Sequence, residues 1–321
     1  MQCSHKIIKK MKKPALLITT ALVMNGCQAV TLPTLPTLPT LSNFTSQPVP
    51  GPAMADASLP TFNVGDKYYY SNGARDQVIS ITGETINFQM RSKRKISNFR
   101  NLVIPTPYIE GQTSEYFKKS DTPANVLWPL HVGNSAKFST RGMTVRKATG
   151  DQTPYNQVWD CEVEGTERVL VFAGEFDTFR IKCRRMTSSG KWWQNRTWNY
   201  SPMLGTYVLR RDFHKKSGVR IRELTALRPS LTDEPQNVRK GIIRAWQTAL
   251  ENKQAGGLVS WTDKQTKTSI QVEPVRTFRA ENGQFCRTYK EYLTRKGTTR
   301  IYAGVACRAG KFRWLTPRRR S

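Results

Sequence analysis

Apolar and polar residues alternate along much of the chain between residues 61 and 228, and this period of two predicts short β-strands. Glycines at regular intervals separate these segments and predict turns. The clearest hairpin joins Val78–Thr82 to Thr85–Met90 through Gly83-Glu84. Later strands are predicted at Gln157–Glu164, Arg168–Phe172, Phe176–Arg184, Trp192–Tyr200 and Thr206–Arg211. We predict an all-β domain over 61–228, an antiparallel β-sandwich or curved sheet, with a small barrel as the other arrangement such strands allow.

The pattern changes after the Pro-rich and polar segment 229–236, where the apolar residues take up helical spacing. These residues are Val238, Ile242, Ala245, Trp246, Ala249 and Leu250. Gly256-Gly257 ends the predicted helix, and strands follow as far as Leu315. Residues 236–317 are therefore predicted to form a small α+β domain, with one helix on an antiparallel sheet.

Lys296-Gly297 is a plausible two-residue turn for a hairpin near the C-terminus. Its register pairs residues whose numbers sum to 593, which places Cys286 directly opposite Cys307. The two form a non-hydrogen-bonded pair with Cα atoms about 4.5 Å apart, which is within the reach of a disulfide. A bridge closing a loop of this length stabilises a protein by about 3 kcal/mol.

The same register sorts the hairpin into two faces. The face with Cys286, the more apolar one, is expected to pack on the Trp246 helix. The other face is expected to be exposed and suited to anions, unless it is an ordinary solvated surface. Its candidate anion-binding residues are Arg287, Tyr289, Arg295, Arg300 and Tyr302.

Cys161 and Cys183 lie in the predicted all-β domain and form a second candidate disulfide. In a simple meander, with turns at Gly165 and Gly174, their strands would lie about 9.5 Å apart, beyond the reach of a disulfide. A bridge then requires 168–174 to leave the sheet. We predict the bridge nonetheless, because unpaired thiols are rare in an oxidising compartment.

The N-terminus has the order of a secretory signal over 1–26: basic residues from Lys6 to Lys13, then the apolar run Pro14–Met24. This run of 11 residues is too short for a membrane-spanning helix, which needs about 20. Val23 to Cys27 resembles a bacterial lipoprotein box, in which the cysteine is acylated and becomes the mature N-terminus. Lipidation of Cys27 would anchor the chain in a membrane, whereas simple secretion is the alternative. Residues 27–60 are predicted to form the lipidated cysteine and a Pro-rich tether.

The chain carries a formal charge of +28, which falls to +23 when the five lysines of the signal are removed. A charge so far from zero points to anionic surroundings, although a generally basic proteome would produce it as well. For an exported chain the expected partners are the membrane, peptidoglycan, lipopolysaccharide or envelope proteins, and nucleic acid is not expected. After removal of the signal, His131 and His214 are the remaining histidines, and we predict no metal or other cofactor.

Part of the C-terminal region resembles the 17 kDa surface antigen family of bacterial outer-membrane lipoproteins. The resemblance lies in Trp246, Leu250, Gly257, Trp261 and Pro274, in Cys286-Arg287 with Tyr289, and in Gly304, Ala306-Cys307-Arg308 and Trp314. It covers about 85 residues and implies location and fold, without catalytic residues. The family's glycine-rich zipper is replaced here by the tether and the all-β domain.

No catalytic constellation is visible in the sequence. We therefore expect a non-enzymatic outer-membrane lipoprotein with a structural or binding role in the cell envelope, on the periplasmic or the surface side. The alternative is an exported cell-wall or carbohydrate-active enzyme with its site in the middle β domain. That site would use the strand face formed by Trp192, Gln194, Arg196, Trp198 and Tyr200, which could instead fill the core.

Overall fold

The computed structural model describes residues 49–215 and 217–317, which belong to one compact unit. The predicted signal, Cys27 and residues 28–48 of the predicted tether lie outside the described residues.

Strands dominate the described chain. The first nine are β1 (Val49–Pro50), β2 (Lys67–Tyr70), β3 (Arg75–Thr82), β4 (Thr85–Met90), β5 (Lys95–Phe99), β6 (Tyr108–Glu110), β7 (Ser114–Ser120), β8 (Ser135–Arg146) and β9 (Gln152–Val171). Four more precede the helix: β10 (Gly174–Thr187), β11 (Trp192–Ser201), β12 (Thr206–His214) and β13 (Gly218–Arg228). The rest are α1 (Gln236–Asn252), β14 (Val259–Asp263), β15 (Thr268–Arg279), β16 (Phe285–Arg295), β17 (Thr298–Gly310) and β18 (Arg313–Leu315).

The prediction of a mainly β protein is confirmed, but the sandwich or curved sheet is wrong. Each strand from β2 to β12 pairs antiparallel with the next. β13 then pairs with β2, joining Leu224 to Tyr70 and Arg228 to Lys67. Twelve strands thus close into a barrel. Alternation predicts which side chains share a face, but it does not say which edge strands meet, and closure satisfies edges that would otherwise stay open.

β9 and β10 form one long hairpin, which corrects the predicted meander. Residues 168–171 stay in the sheet, because Gly165 does not make a turn. Gly165 pairs with Arg180 and Val163 pairs with Ile181, so Glu164 is the extra residue of a bulge. A glycine within a strand marks a bulge as readily as a turn. Cys161 and Cys183 therefore face each other directly, with their Cα atoms 4.0 Å apart, and form a disulfide.

The helix and the last strands pack against the barrel. Buried residues of α1, including Val238, Ile242 and Trp246, share a hydrophobic core with Tyr68 and Leu227 of the barrel strands. Ala226 of β13 also pairs with Gly304 of β17. A Cβ atom added to Gly304 would lie 2.7 Å from the Cβ of Ala226 and 2.8 Å from the Tyr289 hydroxyl. Glycine is thus required where the two strands approach each other.

Candidate functional site

The C-terminal hairpin has the register that the sequence predicts. Arg295 pairs with Thr298 next to the turn, and Cys286 pairs with Cys307 at the far end. These two cysteines form a disulfide, and their Cα atoms are 4.0 Å apart. The turn and the alternation were sufficient to predict this pairing, since a hairpin register follows from its loop.

The two faces of this hairpin are the reverse of the expectation. Tyr289 and Tyr302, predicted to be exposed, have no exposed surface, and Tyr289 packs edge-on against Trp246 with ring centroids 5.4 Å apart. The face with Cys286 does not lie on the helix. Cys286, Val305 and Cys307 form a small cluster with Phe278, and Leu170 of β9 and Phe172, which follows β9, pack against it. Both faces carry buried side chains, so their relative polarity could not identify the one next to the helix.

The three arginines of the predicted anion site are engaged within the protein. Arg300 lies 3.3 Å from the fully buried carboxylate of Asp66, which also accepts a hydrogen bond from the Tyr302 hydroxyl at 3.2 Å. Arg295 pairs with Glu234 at 2.7 Å. Arg287 donates to the Leu250 carbonyl at 2.6 Å. The premise of an exposed surface is therefore wrong, and binding of an anion by this set stays a prediction.

A second group of cations lies on the face of the barrel sheet that carries the Cys161–Cys183 bridge. The register places Cys183 beside Arg196, Arg185 beside Trp159, and Trp198 beside Arg210, so that all of these side chains share the face. Arg196 is in turn paired with Asp212 of β12. We call this face the inner face. The inner basic cluster consists of Lys118 (β7), Arg185 (β10), Arg196 (β11) and Arg210 (β12), together with the carboxylate of Asp212.

Asp212 is the centre of the hydrogen bonds in this cluster. Its carboxylate accepts hydrogen bonds from Arg196 Nε, from Gln194 Nε2 at 3.0 Å, and from Arg210 Nη2 at 2.9 Å. Burial would raise the pKa of Asp212, but Arg196 and Arg210 outweigh it and lower that pKa. Arg185 does not reach the carboxylate and donates from Nη1 to Gln194 Oε1 at 2.9 Å.

Tryptophan rings lie beside the guanidinium groups. The Arg185 guanidinium is 5.7 Å from the ring centroid of Trp159 and 5.4 Å from that of Trp193. The Arg196 guanidinium is 5.9 Å from Trp159 and 5.4 Å from Trp198. These distances are within the range of cation–π attraction. Among the described residues, Trp159 Nε1 and Arg185 Nε have no hydrogen-bond partner.

The cluster is electrostatically unfavourable as it stands. Burial, and then the charges of Arg185 and Arg196, lower the pKa of Lys118 to about 8. Burial and the charge of Arg210 lower the pKa of Arg196 to about 10, although Asp212 acts in the opposite direction. The cluster thus contains four basic side chains and a single carboxylate, which pairs with Arg196 and Arg210, and the proton on Lys118 is held weakly.

A small cavity adjoins the cluster on the same face. Its volume is about 90 Å³, and Arg196, Arg210 and Arg222 are among the residues that line it. Arg222 donates to Asp76 at 3.0 Å and to the Tyr207 hydroxyl at 3.2 Å, and it lies 4.1 Å from the ring centroid of Tyr70. This third arginine is therefore paired with its own carboxylate, in contrast to the cluster next to it.

Sequence reasoning placed Arg196 on a face with Trp198 and Tyr200, and the structure brings these side chains together as expected. Trp198 and Tyr200 are core residues, each 2 % exposed. Lys118, Arg185 and Asp212 were missed. The alternation in β12 would have placed Arg210 and Asp212 on one face, but it does not show that Lys118 of β7 lies near Arg185 and Arg196.

Within the described ranges, no group of three or more His, Cys, Asp or Glu side chains could hold a metal ion. No helix in that part of the chain has the length and apolar character needed to cross a membrane.

The hairpin with its paired Cys-Arg motifs, the strands before it and the end of α1 form the part of the chain with recognisable relatives. Residues 248–315 match the 17 kDa outer membrane surface antigen family. The predicted resemblance is confirmed over this surface antigen segment, which is about a fifth of the chain. No curated protein matches the chain. A solved structure, the hypothetical lipoprotein YmcC of Escherichia coli K12, aligns at 9% identity and a TM-score of 0.37. That alignment covers 51% of this chain and 83% of the other.

Proposed function

We propose that this chain is an outer-membrane lipoprotein without catalytic activity, anchored through acylated Cys27, with a structural or binding role in the cell envelope. The match of residues 248–315 to an outer membrane surface antigen family carries the proposal. The lipoprotein-box resemblance at Val23 to Cys27 and the two disulfides support it, because disulfides form and persist in oxidising compartments. Gln28, rather than the Asp that tends to retain such lipoproteins at the inner membrane, favours the outer membrane.

The anchor is tested by the substitution Cys27→Ser. We expect the wild-type chain in the membrane fraction and the variant in the soluble fraction, because acyl chains contribute about 0.8 kcal/mol per buried CH₂ to membrane binding. Cys3→Ser is the matched control, since this cysteine leaves with the signal, and it should fractionate as the wild type does. A density gradient then separates the inner from the outer membrane. Unchanged fractionation of Cys27→Ser contradicts the anchor.

The enzyme alternative needs two carboxylates in an open cleft near β11. The carboxylate that contacts β11 on the inner face is Asp212, which is bonded to two arginines and has a lowered pKa. It is therefore ionised at neutral pH and has no proton to give as a general acid. Asp76, near the adjoining cavity, is bonded to Arg222. These pairings favour binding over catalysis at this face.

A further inference from the structure

We propose that the inner basic cluster binds an oxyanion, a phosphate or carboxylate group of a soluble ligand, between Lys118, Arg185 and Arg196. This proposal rests on the binding role proposed above, for which it names a site and a class of ligand. It does not depend on the lipid anchor, so the two can fail separately.

The positive charges of the cluster exceed the charge of its one carboxylate. Asp212 neutralises one cation, and Arg196 and Arg210 share it. Arg185 contacts a neutral amide instead of a carboxylate, and the charged neighbours that act on Lys118 are Arg185 and Arg196. Partly buried cations without a counter-charge are costly for a protein. A bound anion would remove that cost, and this is the arrangement found in many anion sites.

The cluster also contains hydrogen-bond donors that have no partner among the described residues. The Trp159 side chain is only 2 % exposed, yet its indole N–H has no partner among the described residues. Arg185 Nε, whose guanidinium lies 5.7 Å from the same ring, has none either. Buried donors are almost always satisfied in native proteins, and those that are not call for an explanation. An oxyanion offers several acceptor lone pairs to guanidinium and indole donors at once.

Two side chains at the cluster are partly exposed. The Arg196 side chain keeps 22% of its surface exposed, and Trp193, which lies against Arg185, is 46% exposed. A small ligand can therefore reach the cluster from solvent. Because the cations are recessed between Trp159, Trp193 and Trp198, a single charged group fits the site better than a flat bilayer surface does. The tryptophan faces are suited to an apolar or sugar moiety attached to that group.

The test is calorimetric titration of the mature, detergent-solubilised protein with inorganic phosphate and with glucuronate, using glucose as the neutral control. We expect saturable binding of at least one anion and none of glucose. Tighter binding of phosphate identifies a phosphate ligand, and tighter binding of glucuronate a carboxylate. Lys118→Met and Arg185→Gln should each weaken binding at least tenfold.

Lys119→Met is the matched control, because Lys119 follows Lys118 on β7 and is exposed. It should leave the affinity unchanged. Trp159 and Trp193 provide a second measurement on the unaltered protein, since an anion bound beside them should change the intrinsic fluorescence saturably. Absence of both signals at millimolar anion, or equal losses in the Lys118 and Lys119 variants, overturns the proposal.

Discussion

Lys118 shows how a neighbourhood of like charge changes the chemistry of one side chain. Its pKa is lowered to about 8 by burial and by the positive charges of Arg185 and Arg196. An unfolded chain restores it to about 10.4. Between these two values the unfolded state binds more protons than the folded state, so the free energy of unfolding must rise as pH rises.

We therefore expect the contribution of Lys118 to stability to grow between pH 8 and pH 10. Denaturant unfolding at several pH values should show a rise in the wild type that Lys118→Met lacks and Lys119→Met retains. Parallel pH profiles for the wild type and Lys118→Met would contradict the lowered pKa. Anion affinity should fall over the same interval as the ammonium loses its proton.

The sequence predicted the contacts of some residues and not those of others. Both disulfides could be predicted from the sequence. The tight turn fixes the register that pairs Cys286 with Cys307, and Cys161 and Cys183 are then the two cysteines left to pair. The inner basic cluster could not be predicted, since Lys118 and Arg196 lie on strands far apart in the sequence and meet only across the closed sheet. Alternation correctly placed Arg196 on one face with Trp198, but it gave no information about which side chains of other strands, such as Lys118, lie near it.

At the scale of elements, the two disulfide-bonded hairpins are the parts whose geometry is most local. The bridge between Cys286 and Cys307 closes a loop with a sequence separation of 21. Replacing both cysteines with serine should lower the free energy of unfolding by about 3 kcal/mol, because the unfolded chain regains freedom. Denaturant unfolding measures the loss, and reduction of the wild type should act in the same direction. A loss below about 1 kcal/mol would contradict the expectation.

Arg300 joins the C-terminal hairpin to the barrel through Asp66. Replacing Arg300 with methionine removes the counter-charge of a fully buried carboxylate, and we expect a loss of about 3–5 kcal/mol. Asp66→Asn combined with Arg300→Met should recover much of that loss, since no buried charge then remains. Lys296→Met, at the exposed turn of the same hairpin, is the control and should change stability by less than about 0.5 kcal/mol.

Two features of the strands did not follow from the alternation of apolar and polar residues. Register followed from the turn at Lys296-Gly297, but the orientation of the faces did not, because both faces of the hairpin carry buried residues. The meander over 157–184 failed at Gly165, where a glycine marks a bulge within a continuous strand. Local sequence cannot distinguish these two uses of glycine without the partner strand.

For the whole molecule, the division into two domains, 61–228 and 236–317, stays a prediction. The two regions share one hydrophobic core. Val238 and Trp246 of α1 pack in the same cluster as Tyr68 and Leu227 of the barrel. We expect a chain ending at Pro229 to lose cooperative unfolding, because its barrel would expose these side chains. Thermal unfolding of the full chain should show one transition. A truncated chain that melts cooperatively at the same temperature would favour independent domains.

Closure of the barrel also sets an order of events during folding. The pairing of Tyr70 with Leu224 joins strands from opposite ends of the barrel, whereas each disulfide links strands that are neighbours in sequence. Contacts between residues distant in sequence form slowly, because the chain loses the entropy of closing a long loop before these contacts can stabilise it. Under the proposed function the chain is exported from its N-terminus, and the β9–β10 hairpin can then form its disulfide before Gly304 is available to pack on Ala226. Folding of this protein should therefore end with the pairing of β2 and β13, and a measurement of disulfide formation would not detect that step.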